Sequence, residues 1–284
     1  MAAIGRKPSV SFGEDASTKQ TLTCVPPQNV LSGEMAKAPD ADGYMALIRT
    51  LQAECSDLTW RRTSTLGEKA PVLLQALDVL LSYLERAATC FGGCRGGDHR
   101  AEFLTGRAVS SCQAALLLMG NGYYDEALAT IRGLGEVANL MSMFATDASE
   151  FERWKSMDER TRRRDFAPVK VRLWLEQKAG ALVVDERLYA ALSGYSVHAS
   201  PNSLPQAHGE HGNASIGPFY QEAGFLLCLN ELGRSMAFIG IFSAKLIGVT
   251  DEIRSVAHDV SRVVVENMGE LSADVQGRPW FKLS

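Results

Sequence analysis

Arg132, Glu136 and Asn139 recur at i, i+4 and i+7 within YYDEALATIRGLGEVANLMSMFA, residues 123–145. On a helix they share one face. From Ala127 onward the rest of that stretch is apolar nearly all round, the pattern of a buried helix. A charge inside a core is costly unless it is paired and hydrogen-bonded. Two readings follow. In one, the three side chains line a polar pocket: the fixed fork of Arg132 suits a phosphate or carboxylate, Glu136 orients it or acts as a base, and Asn139 adds a binding contact. In the other, Arg132 and Glu136 form an intrahelical ion pair that is purely structural and ties neighbouring helices together.

A second stretch with chemistry is YAALSGYSVHASP at 189–201. Tyr189, Ser193 and Ser196 fall on one helical side, and His198 stands at the helix end before a proline. An imidazole at a helix C-terminus tends to hold its proton, because the helix dipole favours the cation there. His198 is therefore a general acid/base or a capping group on the last carbonyls. A Ser-His nucleophile pair is not expected, since no Gly-x-Ser-x-Gly elbow surrounds Ser193.

The third stretch is RTRRR at 160–164, with Trp154, Phe166 and Trp174 around it and Lys170 and Arg172 following. Clustered arginines with aromatics suit phosphate contacts and base stacking. Arg162, Arg163 and Arg164 are the binding candidates, and any nucleic-acid affinity is expected in residues 160–172. The alternative is a solvated helix face offset by Asp158, Glu159 and Asp165. No metal site and no cofactor are expected. Cys90, Cys94 and His99 surround a glycine turn and His208 and His211 share a loop, but neither set has a zinc spacing such as paired Cys-x-x-Cys or His-Glu-x-x-His. FGGCRGG at 91–97 is not a phosphate loop, because no Gly-Lys-Ser/Thr follows.

The elements that must position these residues read as helices throughout. Apolar periodicity predicts helices over 42–58, 68–90, 99–119 and 123–145. Gly120-Asn121-Gly122 is a stop and turn that makes the third and fourth an antiparallel hairpin. Residues 146–165 are expected to be helical in part, 168–177 to form a short helix opened by Pro168, and 185–197 another. After a Pro-, Gly- and His-rich loop at 201–218, two long helices cover 219–247 and 250–271. The apolar run in 219–248 is flanked by Asn230, Glu231, Arg234 and Lys245. Its uncharged part is shorter than the roughly 18 residues a membrane span needs, so it reads as a buried core helix with no membrane partner.

IRGLGEVANL at 131–140, an Arg-x-x-x-Glu helix reached from Gly-x-x-x-x-Ala-Leu, followed by Tyr-x-x-Leu-Ser-x-Tyr-x-x-His at 189–198, resembles a bacterial helical-bundle family of unknown function that is distantly similar to HEPN (nucleotide-binding) domains. The resemblance covers residues 75–250. It implies an all-α bundle with Arg132, Glu136, Ser193 and His198 near one another, and RNA or a nucleotide as partner. The wider group includes ribonucleases of toxin and phage-defence systems. Those enzymes carry Arg, four to six residues, then His; counting back from His198, the corresponding positions hold Ser193, Leu192 and Ala191. A metal-independent ribonuclease-like activity would therefore need Arg132 to supply the missing arginine from another helix, with His198 as acid/base and Tyr189 and Ser193 supporting.

Bulk properties agree with a globular bundle. The chain has 284 residues, 46% hydrophobic and 22% charged, enough for a sizeable core. Net charge is −4, so attraction to nucleic acid or anionic lipid would have to be local. Six scattered cysteines and an N-terminus without an apolar signal core point to reduced thiols and a cytoplasmic setting. The expected organisation is a disordered arm over 1–40, a single helical bundle over 41–275 that is compatible with a homodimer, and a tail over 276–284. Two functions stand open: an effector whose polar pocket binds or cleaves RNA or a nucleotide, and a non-catalytic binding or interaction bundle.

Overall fold

The turn at Gly120-Asn121-Gly122 sets the architecture. Gly122 has φ 78°, and a Cβ there would lie 2.3 Å from the Phe219 carbonyl oxygen, so the position admits only glycine. It reverses the chain between α3 (Arg100–Gly120) and α4 (Tyr124–Thr146). In this computed structural model the described residues are 41–66, 69–90, 94, 96–197, 218–248 and 251–276. They form ten helices and no strand, an all-α bundle as expected. The predicted arm over 1–40, most of the 201–218 loop and the tail beyond 276 lie outside the described residues.

The helices before the turn are α1 (Ala41–Thr63) and α2 (Lys69–Ala88). After α4 come the short α5 (Ala148–Ser156), α6 (Glu159–Asp165), α7 (Pro168–Gln177) and α8 (Glu186–Ser196). The long α9 (Glu222–Ile247) and α10 (Asp251–Gln276) close the fold. Local chemistry sets the short boundaries. Asp147, Asp158 and Asp185 each accept a hydrogen bond from a first-turn amide, of Ser149, Thr161 and Leu188, and so cap α5, α6 and α8. Pro168 opens α7 where its missing N–H costs nothing.

Two helices share the centre. α4 packs against α3, α5, α7, α8 and α9, while α9 packs against α2, α3, α4 and α10. α9 is long and apolar enough to cross a membrane, but most of it is buried inside the bundle, as expected of a core helix. Leu73, Leu77, Leu80 and Leu84 of α2 fill its other side with Ile253, Ala257, Val260 and Val264 of α10. Buried hydroxyls of Thr105 and Ser243, 2.9 Å apart, pair α3 with α9. Lys245 donates to the Ala145 carbonyl, placing a cation at the C-terminus of α4 where the helix dipole favours it. In α1, Cys55 and Thr59 are buried, whereas Tyr44 and Leu47 in its first turns are exposed.

Candidate functional site

The segment between α7 and α8 crosses the middle of α4, and α4 is built to receive it. At Gly135 a Cβ would stand 2.2 Å from Val184 Cγ2, so a glycine is what allows the loop to lie on the helix. One turn on, buried Asn139 accepts hydrogen bonds at Oδ1 from the amides of Val183 (2.8 Å) and Val184 (3.2 Å) and donates from Nδ2 to the Val184 carbonyl (2.8 Å). Ser142 donates to the Ala181 carbonyl at 2.6 Å. These bonds satisfy backbone groups that have no helix to pair with. Of the predicted stripe, Asn139 thus serves the backbone of the crossing segment, and through it the placement of α8.

That placement brings α8 to Arg132. Its Nη1 donates to the Tyr189 hydroxyl at 2.9 Å and to Ser193 Oγ at 3.2 Å. Nη2 lies 3.6 Å from Glu136 Oε1, an ion-pair contact rather than a close hydrogen bond. The Arg132 and Glu136 side chains are 20% and 28% exposed, so the stripe is not sealed in the core as its apolar surroundings suggest. The pair lies at the edge of the bundle, where α8 only partly covers it. Arg132 Nε is buried with no hydrogen-bond partner among the described residues. Arg132, Glu136, Tyr189 and Ser193 are therefore brought together. His198 lies outside the described residues.

Arg172 is the member of this group that pattern reading assigned elsewhere. It belongs by sequence to the basic stretch, but it is buried, and its guanidinium stands 4.5 Å from the Tyr189 ring centroid. The Arg132 guanidinium stands 5.0 Å from the same ring. The signal was present: Val171, Arg172 and Leu175 form the buried side of α7, so the arginine lies on its apolar face. Two cations on one tyrosine gain from its π-face. Glu136 is the carboxylate that reaches Arg132, and among the described residues Arg172 forms no ion pair.

The arginines of 160–164 are arranged differently. Arg162 donates to the carbonyls of Trp154 (3.1 Å) and Met157 (2.6 Å) and to Glu159, and stacks on Trp154, so it joins α5 to α6. Arg163 pairs with Glu159 at 2.7 Å and Arg164 with Asp165 at 2.7 Å, both side chains largely exposed. The Arg163 guanidinium holds the Glu159 carboxyl below its ordinary range, and Arg164 does the same to Asp165. The aromatics are engaged too: Trp154 and Phe166 pack with Phe144 and Phe151 in one cluster. The base-stacking surface expected there is therefore the inner side of α5 and α6, and Arg162 is held as a structural tie.

Cys90, Cys94 and His99, which spacing alone kept apart, converge: their ligand atoms all lie within 4.8 Å of one another. His208 and His211 are outside the described residues. No protein-family model matches the chain, nor does any curated protein or solved structure.

Proposed function

We propose that this bundle binds a phosphate-bearing ligand, RNA or a nucleotide, where α4, α7 and α8 meet. The observation that carries the reading is the pair of guanidinium groups, Arg132 and Arg172, on the Tyr189 ring, with Glu136 as the carboxylate in reach. One buried and one partly buried cation against one carboxylate leave a positive surplus, and charge withdrawn from water seeks a counter-charge. The guanidinium fork matches phosphate oxygens two at a time, and the Tyr189 and Ser193 hydroxyls beside Arg132 add neutral donors. The resemblance to HEPN-like bundles supports the same ligand class and an effector role. On that resemblance the cutting step would use Arg132 on transition-state charge, Glu136 as orienting group or base and His198 as acid/base.

A second reading has its own support. Arg132 Nη1 is already engaged by Tyr189 and Ser193, which is what a structural tie between α4 and α8 would look like. The two readings separate in a binding titration of a short single-stranded RNA and of ATP, at two salt concentrations. Binding that weakens with salt and falls at least tenfold in Arg172→Met, but not in Arg163→Ala with Arg164→Ala, is the expected result. Absence of binding by the wild type, or equal affinity in Arg172→Met, leaves the structural tie. Incubation of RNA without divalent ions, wild type against His198→Ala, tells whether binding is followed by cleavage.

A further inference from the structure

Away from the α4–α8 site, the described residues just ahead of α3 include three in the left-handed region. Gly96 and Gly97 have φ 76° and 90°, and His99, which has a Cβ, is held at φ 55°. A non-glycine residue in that region is strained and persists where the surroundings over-determine it. At the end of this backbone the His99 ring stands beside the thiols of Cys90 and Cys94.

We propose that Cys90, Cys94 and His99 bind a zinc-class divalent metal ion through two thiolates and one imidazole, with the fourth position open. The distances fit. Zinc–sulfur bonds of about 2.3 Å and zinc–nitrogen bonds of about 2.0–2.1 Å at a tetrahedral angle place S and N about 3.6 Å apart. Cys94 Sγ and His99 Nε2 are 3.6 Å apart. Cys90 Sγ, within 4.8 Å of both, needs a shift of at most about 1 Å to reach the roughly 3.8 Å of a tetrahedral S–S edge.

The surroundings are those of a ligand set. His99 presents Nε2 to the thiols while its Nδ1 faces Glu102 Oε1 at 3.7 Å, one helical turn into α3. A carboxylate behind the far nitrogen of a metal-bound imidazole fixes its tautomer and raises its basicity. The Gly96 amide donates to Cys94 Sγ at 3.4 Å, which holds the sulfur in place beside the imidazole. Asp98, next to His99, accepts from the Arg100 amide at 3.1 Å and pairs with Lys155 of α5 at 3.0 Å, which anchors the loop to the bundle. A cavity of about 100 Å³ lies against these ligands, floored by Ala87 and Phe103. Cys90 and Cys94 are exposed, so the ion has a path in.

Cobalt(II) is the probe, because its thiolate charge-transfer and visible d–d bands report both sulfur ligation and tetrahedral geometry. The reduced full-length protein should take up one cobalt per chain, with both sets of bands, and zinc should bleach them. Cys94→Ser and His99→Asn, the latter tolerant of the left-handed backbone, should each lose the tetrahedral spectrum while keeping the wild-type circular dichroism. Glu102→Gln should keep the spectrum and bind about tenfold to a hundredfold more weakly, which a purely structural glutamate would not produce. Absence of the bands in reduced protein, their persistence in Cys94→Ser, or a Cys90–Cys94 disulfide found by mass spectrometry in protein isolated without oxidant would each overturn the site.

Discussion

Arg132 with Arg172 and the run Arg160–Arg164 are both arginines beside aromatic rings, yet they differ in what balances them. In the run, Arg162, Arg163 and Arg164 each have a carboxylate within 2.9 Å, and the two best exposed face solvent. Glu159 serves both Arg162 and Arg163, and Asp165 serves Arg164, Arg153 and Lys170, so the cations there still outnumber their carboxylates, but on an exposed face water and salt screen the surplus. At Tyr189 the two guanidinium groups are drawn from separate helices and are partly or fully buried; Arg132 has Glu136 at 3.6 Å, and among the described residues Arg172 forms no ion pair. Density of basic residues is thus a poor guide to where an anion would bind in this chain. The surplus of cation over carboxylate at a partly desolvated point is the better one.

The largest effect expected from testing this contrast is on Arg162. Although it sits in the exposed run, Arg162→Ala removes charged hydrogen bonds to the Trp154 and Met157 carbonyls, at a cost of about 1.5–3 kcal/mol. Urea denaturation measures it, and Arg163→Ala or Arg164→Ala, which remove exposed ion pairs, should move the curve much less. An Arg162→Ala variant as stable as wild type would return that residue to the solvated face. Next comes the double change Arg132→Met with Glu136→Leu. Because the pair is partly exposed, its replacement by apolar side chains should shift stability by no more than about 1 kcal/mol while abolishing ligand affinity. A loss of several kcal/mol with affinity intact would instead make the pair a structural tie.

The smallest effect is confined to acid. Hydrogen bonds from Ser149 hold the Asp147 carboxyl below its ordinary range, those from Thr161 hold Asp158, and Arg163 and Arg164 hold Glu159 and Asp165. Groups depressed in the folded state add stability that is complete above the unfolded carboxylate pKa of about 4 and is lost as pH falls through the folded values. Amide protection across 147–166, relative to the intrinsic exchange rate, should therefore fall below about pH 4 before that of α9 does. Simultaneous loss of protection in both would show that the α5–α6 capping network is not what acid attacks.

Much of this was legible in the sequence, for reasons that particular residues make plain. Pro168 and the Gly-Asn-Gly turn mark boundaries through backbone geometry that travels with the residue type, and the helices begin and end there. The stripe on α4 was legible as a face, since a period of 3.6 needs no partner to be read. Which partner each member meets was not. Asn139 is used by the backbone at Val183 and Val184, forty-odd positions on, and that depends on how α7 and α8 dock. Arg172 was hidden by its neighbours: in a basic stretch, one arginine on the apolar face looks like the rest. The Cys90, Cys94 and His99 cluster escaped because its members form a set only once the left-handed backbone at Gly96, Gly97 and His99 has placed the imidazole beside the thiols.

Gly135, the glycine that lets Val184 lie against α4, has a consequence for how the chain reaches its native state. It stands two residues from Gly133, and α4 also carries Thr130, Asn139 and Ser142 within its 23 residues. Each glycine costs a helix about 1 kcal/mol relative to alanine, and an isolated helix of this length is marginal even with good formers. The axial element of the bundle is therefore a weak helix on its own. Its order is lent to it by α3, α9 and the crossing segment, and α4 becomes definite only as they close around it.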